Sequence, residues 1–214
     1  MDAIQFYNCY GQHMVNREEE PGCCGCGGTL RKTWDGRVID RSISLPFRFP
    51  ESNSSGYQSR FCCAGFCYPQ SRIAAVLFVD NNVGIYEVNQ AQAVISFRFS
   101  GCYMAKFTYD NRIFVCHITS KGSLTERGDC REGWDSFVRN NRQKISDMVV
   151  FKPVTIRSDL YAQFQKLGDR KYTICGLITP NNSCYALLMD VYTCQVHSTL
   201  IESGSKLSNG LISE

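Results

Sequence analysis

The chain has 214 residues, enough for one sizeable hydrophobic core, and nothing in it forces a second domain, so a single α/β or α+β domain is expected. Its 23 basic and 20 acidic residues are interspersed and give a net charge of +3 without the basic stripe that follows a phosphate backbone, so no nucleic-acid partner is implied. The longest apolar run, Ile73 to Val79, falls far short of the roughly 20 residues that span a bilayer, and Met1 to Tyr10 lacks a charged stretch followed by an apolar one, so neither a membrane span nor a classical signal peptide is expected.

Residues 1–70 show little periodicity and form a Cys-rich, loop-rich part. It carries two clusters, Gly22-Cys23-Cys24-Gly25-Cys26-Gly27-Gly28 and Phe61-Cys62-Cys63-Ala64-Gly65-Phe66-Cys67, with the turn-rich stretch Pro50 to Gly56 between them. From Ile73 the pattern sharpens. Ala75 to Val79 and Val83 to Val88 flank Asp80-Asn81-Asn82 and read as a hairpin, and Ala93 to Phe99 reads as a third strand leading to Cys102. Cys102 to Phe107 and Arg112 to Ile118 are β-rich runs around the turn residues Asp110 and Asn111, and form a second hairpin.

A helix is expected from about Arg131 to Ile145 on the spacing of Trp134, Phe137, Val138 and Ile145. A second is expected over Asp159 to Leu167, capped by Ser158, with Leu160, Tyr161, Phe164 and Leu167 on its buried face. Strands follow at Tyr172 to Thr179 and Cys184 to Val191, joined by Pro180 to Ser183, and then at Thr193 to Leu200. A Ser/Gly-rich tail, 203–214, is expected to fray, leaving 71–202 as the core. No internal repeat is present.

The chemistry concentrates on the second hairpin. If Tyr109-Asp110 forms its loop, Cys102 lies directly opposite His117; if Asp110-Asn111 does, Cys102 opposes Thr119 and His117 is its diagonal neighbour. Either register puts the thiol and the imidazole on one face, with Cβ atoms roughly 4.5–5.5 Å apart when opposed and about 7–8 Å when diagonal. A catalytic cysteine acts as the thiolate, so it needs a neighbour that takes its proton and a geometry that exposes the sulfur. His117 supplies the first and Gly101, where the strand meets the bend, is expected to supply the second. Ser96 precedes Cys102 by an even number of residues, so its hydroxyl is expected on the same face, orienting the ring of His117. Such a pair attacks a carboxamide, a peptide bond or, with an amine in place of water, forms a cross-link.

Ser100-Gly101-Cys102, a hairpin, and then Val115-Cys116-His117 resemble the catalytic region of the cytotoxic necrotizing factors, where a Ser-Gly-Cys motif precedes a Val-His at the same Cys-to-His interval. They also resemble Burkholderia lethal factor, in which a Thr stands at the offset of Ser96 and completes the triad, and the Cys-to-His interval is slightly shorter. Cys175-Gly176-Leu177-Ile178-Thr179 is similar to a Gly-Gly-Ile-Val-Thr strand of that toxin.

The resemblance implies an α+β sandwich of mixed, largely antiparallel β-sheets flanked by helices and loops. It also implies a bacterial toxin or effector, secreted or injected, that acts in the host cytoplasm by converting a specific glutamine of a host protein to glutamate. The host proteins it points to are a Rho-type GTPase or a translation-initiation helicase. On this reading Cys102, His117 and Ser96 are catalytic, Gly101 and Ser100 position the substrate and backbone N–H groups near Cys102 hold the oxyanion, no cofactor is used and a monomer is expected. Contacts remote from the carboxamide, including the charged stretch Lys121 to Gly133, are expected to select a folded protein over free glutamine.

A rival reading takes the chain as a zinc-stabilised interaction module, with Cys23, Cys26, Cys62 and Cys67, and beside them Cys24 and Cys63, as ligands. The Cys-Cys-x-Cys and Cys-Cys-x-x-x-Cys spacings depart from the paired Cys-x-x-Cys form. The thirteen cysteines are odd in number, so at least one has no intramolecular disulfide partner, and Cys116, Cys175, Cys184 and Cys194 lie in apolar or alternating runs that suit reduced, buried thiols. His13 and His197 stand alone, and Glu18-Glu19-Glu20 reads as a solvated acidic patch.

Overall fold

A computed structural model describes residues 45–49, 61–67, 72–79, 81–97, 99–120, 124–155, 158–168, 171–190, 196–201, 207 and 209–212. Among these residues eleven strands form two sheets. The first holds β1 (Phe61–Cys63), β4 (Val83–Val88), β6 (Tyr103–Tyr109), β7 (Arg112–Ile118) and β8 (Ile145–Phe151) in the order β1-β4-β7-β6-β8. The second holds β2 (Gly65–Cys67), β3 (Ile73–Val76), β5 (Ala93–Phe97), β9 (Tyr172–Ile178), β10 (Cys184–Asp190) and β11 (Val196–Ile201) in the order β11-β10-β9-β5-β3-β2. β1 with β4 and β3 with β5 are parallel pairs, and every other pair is antiparallel. The helices among the described residues are α1 (Leu124–Asn140) and α2 (Asp159–Leu167). This is the expected α+β sandwich.

Side-chain alternation along the strands assigns each face. On β7, Phe114, Cys116 and Ile118 join Trp134, Phe137 and Val138 of α1 in one apolar cluster, with Phe47 and Phe49 in the same cluster. Ile113 and Val115 face the other way, into a cluster that contains residues of both sheets: Met104 and Phe151 from the first, Val76, Val94 and Ile178 from the second, and Leu160 from α2. On β5, Ala93 and Ile95 pack on the outer side of the second sheet, while Val94 packs between the sheets. His117 and Ser96, by the same period of two, point into the interior between the sheets.

The hairpin that carries the candidate site forms as expected. Tyr109 pairs with Arg112 across a two-residue turn, and Asp110 and Asn111 both have positive φ, 46° and 65°, which is what a type I′ turn demands. α2 also forms over the expected residues, with the Tyr161 N–H donating to Ser158 Oγ at 3.2 Å. Leu167, expected on its buried face, is 39% exposed at the last turn.

Several expectations are corrected. Ala75–Val79 and Val83–Val88 do not form a hairpin: β3 lies in the second sheet and β4 in the first, so the chain changes sheets between them. The crossing strand end is held by Thr119 Oγ1, which donates to Val79 O at 2.8 Å, and Leu77 O occupies the space that a Cβ on Gly84 would fill. The first helix runs over Leu124–Asn140 rather than about 131–145, and Ile145 instead opens β8, an unanticipated strand paired with β6.

Nor does the described part of the tail fray. Leu211 and Ile212 are buried against α1, Trp134 Nε1 donates to Gly210 O at 2.9 Å, and the Ile212 N–H donates to Asp135 Oδ1 at 2.7 Å. Leu207 N–H donates to Val150 O on the outer strand β8 at 2.9 Å, so the segment also covers part of a sheet edge. Among the described residues no helix is long and apolar enough to cross a membrane.

Burying an aliphatic side chain stabilises by about 1.5–3 kcal/mol, so truncation before Leu207 should cost roughly 3–6 kcal/mol through Leu211 and Ile212 alone. Urea unfolding followed by tryptophan fluorescence checks this, and a truncated chain as stable as the full one would contradict the docking.

Candidate active site

Ser96 is the last inward-facing residue of β5, and its parity matched expectation, but the route differs. It does not lie on the sheet face that carries His117. It sits on the second sheet and meets His117 across the interior, Oγ to Nδ1, at 2.8 Å. The same hydroxyl donates to Val76 O at 2.6 Å. A hydroxyl has one hydrogen, so with that hydrogen committed to Val76 O, Ser96 Oγ accepts from Nδ1–H. This assigns the proton to Nδ1 and leaves the lone pair on Nε2. Nε2 is shielded from solvent and has no hydrogen-bond partner among the described residues. A buried acceptor left without a donor costs roughly 1–3 kcal/mol, a cost tolerated where a group is held ready for chemistry.

The ring is enclosed on both sides. Phe99 stacks on it, centroids 4.3 Å apart and planes 7° from parallel, and Phe78 meets it edge-on at 5.3 Å. Two glycines make room. Gly84 is the ladder partner of His117 on β4, and the Leu77–Val79 crossing that delivers Phe78 passes over it. Gly176 is the ladder partner of Ser96 on β9, and a Cβ there would lie 2.8 Å from Pro153 Cγ, 3.0 Å from Met104 Sδ and 3.1 Å from Phe99 Cε2. A glycine inside an apolar strand marks such a close approach. Gly84, Gly176, Phe78 and Phe99 were not singled out as site residues from sequence, and the in-strand glycines were the signal that could have found them.

Burial pushes the His117 pKa down from the ordinary range to about 3. The ring is therefore neutral at physiological pH, so it serves as a base awaiting a proton rather than as a resting imidazolium beside a thiolate.

Cys102 is 4% exposed and sits in the inter-sheet cluster with Phe99, Met104 and Val115. The ladder pairs Tyr103 with Ile118 and Met104 with His117, so continuing it one step opposes Cys102 to Thr119 and makes His117 its diagonal neighbour, the second of the two registers anticipated. The pairing is fastened beyond the ladder by Ser120 Oγ, which donates to Gly101 O at 2.6 Å.

Gly101 itself has no positive φ, and a Cβ on it would meet only Ser120 Oγ at 3.6 Å, so the bend does not require glycine. Its N–H makes no hydrogen bond among the described residues, and Ser100 is exposed. Lys152 lies within electrostatic range of Cys102, and a thiolate there favours the ammonium.

The neighbouring thiols differ. Cys116 points to the opposite face of β7, is fully buried, and burial holds its pKa well above the usual thiol value. Cys175 packs on the outer face of the second sheet. Of the zinc candidates, Cys23, Cys24 and Cys26 lie outside the described residues, as does the side chain of Cys67, while Cys62 is buried in an apolar cluster. No cluster with metal-ligating geometry occurs among the described residues. His13 and the triplet Glu18 to Glu20 also lie outside them, and His197 is exposed, edge-on to Tyr172.

Comparison with protein-family models, with curated proteins and with solved structures returned no match.

Gly176→Ala should force Phe99 and Met104 to shift, at a cost of about 1–3 kcal/mol, and should slow alkylation of Cys102 by loosening the ring. Unchanged thermal stability and alkylation rate would contradict the close fit.

His117 also predicts a pH dependence. Its folded pKa lies below its unfolded value, so the unfolded chain binds a proton first as pH falls. Stability is lost between about pH 6.5 and about 3, by up to tenfold in the folding constant per pH unit. Urea midpoints across this window should fall less steeply in His117→Gln than in the native sequence, and equal slopes would contradict a neutral buried ring.

Proposed function

We propose that the chain is a Cys-His protein-glutamine deamidase, a hydrolase of a side-chain carboxamide. The observation that carries the reading is the buried His117 ring, fixed as the Nδ1–H tautomer by Ser96 with Nε2 unpartnered among the described residues, on the strand next to Cys102. Nε2 takes the thiol proton as Sγ attacks the carboxamide carbon. The oxyanion is received by backbone N–H groups, for which Gly101 N–H is a candidate. The protonated ring then gives its proton to the departing nitrogen, so ammonia leaves and a thioester remains. Water, deprotonated by Nε2, adds to the thioester, and the thiol is regenerated with glutamate as product.

A buried neutral ring suits this cycle, because charge appears on it only transiently and is balanced by the oxyanion. Proteolysis and amine cross-linking use the same groups, and the resemblance to the necrotizing factors and Burkholderia lethal factor favours deamidation. By that resemblance the substrate is a host Rho-type GTPase or translation-initiation helicase, and the protein is a bacterial effector delivered to the host cytoplasm.

Incubation with candidate host proteins, followed by intact-mass and peptide mass spectrometry, tests the reaction, because exchanging the amide nitrogen for oxygen adds about one dalton at a single glutamine. Cleaved substrate would redirect the reading to a protease. Cys102→Ser should abolish activity without loss of fold, His117→Ala should lower kcat by roughly 10²–10⁴, and Ser96→Ala should cost less. Retained activity in Cys102→Ser would overturn the assignment.

A further inference from the structure

Cys102 lies where the chain passes from one sheet to the other. β5 ends at Phe97 on the second sheet and β6 begins at Tyr103 on the first, so the ladder that aligns β6 with β7 starts one residue after the thiol. Across that ladder His117 opposes Met104, and Cys102, as its diagonal neighbour, has to lean along the strand to bring Sγ to Nε2. Nε2 has no hydrogen-bond partner among the described residues, so the thiol does not donate to it at rest and the approach is left to the reaction. The crossing segment itself is held at two points. Phe99 N–H donates to Ile174 O on the second sheet at 3.0 Å, and Gly101 O accepts from Ser120 Oγ at 2.6 Å.

The second of these bonds comes from the chain that follows the base. β7 ends at Ile118, after which Thr119 Oγ1 holds Val79 O, at the end of the crossing that brings Phe78 to the ring, and Ser120 holds Gly101 O, just before the thiol. Gly101 O and the Cys102 N–H belong to one planar peptide, so fixing the oxygen fixes the plane from which the Cys102 side chain departs. Among the described residues a Cβ on Gly101 would meet only Ser120 Oγ, at 3.6 Å, so steric contact leaves that plane loose and the hydrogen bond sets it. We propose that Ser120 is a positioning residue for the nucleophile: by holding Gly101 O it aims the Cys102 thiol at Nε2 of His117. This rests on the reading of Cys102 and His117 as nucleophile and base and adds a residue to it. Ser120 acts through Gly101, and no proton passes through it.

Alkylation of Cys102 by iodoacetamide, read by peptide mass spectrometry, tests this without the unknown substrate. A thiol that reacts only as the free thiolate slows about tenfold per pH unit below its pKa of roughly 8.5, whereas one whose proton is taken by an already neutral ring slows far less. Ser96, Phe78, Phe99, Gly84 and Met104 around the ring carry no charge, and Lys152 is unaltered in every variant, so its titration moves all profiles alike. The native protein and Ser120→Thr, which keeps the hydroxyl, should show the shallow profile. Ser120→Ala and Ser120→Val, which lack it, should become as steep as His117→Ala, roughly tenfold slower than native at about pH 6 and within about twofold of it at about pH 9. Ser158→Ala, which removes the cap of α2, should lower stability and keep the native profile.

A profile that stays shallow in Ser120→Ala and Ser120→Val, or a rate that drops equally at every pH, would overturn Ser120 as a positioning residue while leaving nucleophile and base in place. A Ser120→Thr profile as steep as that of Ser120→Val would overturn it too, since the hydroxyl would then not be what matters. A native profile as steep as that of His117→Ala would overturn the base and this inference together.

Discussion

One hydrogen bond joins the two sheets at the chemistry: Nδ1–H of His117 on the first sheet to Oγ of Ser96 on the second, with Ser96 in turn tied to Val76 O on the neighbouring strand β3. Both side chains are fully buried. In an apolar interior the alternatives are worse, because either group alone would be an unsatisfied polar atom. The bond therefore depends on the packing of the sandwich. A shift of one strand residue in either sheet would turn one partner to the outer face.

The surrounding residues serve that bond and the atom left over from it. Each partner is faced in its ladder by a glycine, Gly84 beside His117 and Gly176 beside Ser96, and the space so made is filled by chain or ring. Leu77 O lies over Gly84, where the chain crosses between sheets and carries Phe78 to the imidazole. Phe99 lies over Gly176 and stacks on the other side. Water is kept from the ring, which stays neutral, and Nε2 is held without a hydrogen-bond partner among the described residues, on the strand next to the strand end that bears Cys102. The same arrangement separates Cys102 from Cys116: one thiol lies in the cluster between the sheets, while the other lies on the helix side with its proton held by burial. A thiol's reactivity follows this setting rather than its presence in the sequence.

Local features were legible in the sequence and long-range ones were not. The Asp110-Asn111 turn, the flanking β-rich runs and the Ser158 cap are each specified within a few residues, so the hairpin that sets His117 diagonal to Cys102 and the second helix could be read directly. Period-two parity placed Ser96 on an inward face, yet parity is silent on which sheet a strand joins. Ser96 reached the expected partner from the opposite sheet.

The same silence made Ala75–Val79 and Val83–Val88 look like a hairpin, although their apolar runs belong to different sheets and the pairing is decided by β5 and β7. Ile145 fitted a helical spacing until Lys144 and the turn before it closed the helix and opened β8. The tail looked fit to fray because its polar composition hides Leu211 and Ile212, whose burial depends on Trp134, far away in the sequence.

The central claim is that His117 rests neutral, with its proton on Nδ1 and the lone pair on Nε2. Long-range ¹H–¹⁵N correlation spectra of protein labelled at histidine nitrogens report both the tautomer and the charge of each ring. The account predicts a neutral Nδ1–H tautomer for His117, unchanged as pH is lowered from 8 to 5, well above the value of about 3 to which burial pushes it. A signal from Nε2–H, or from an imidazolium in this range, would contradict it.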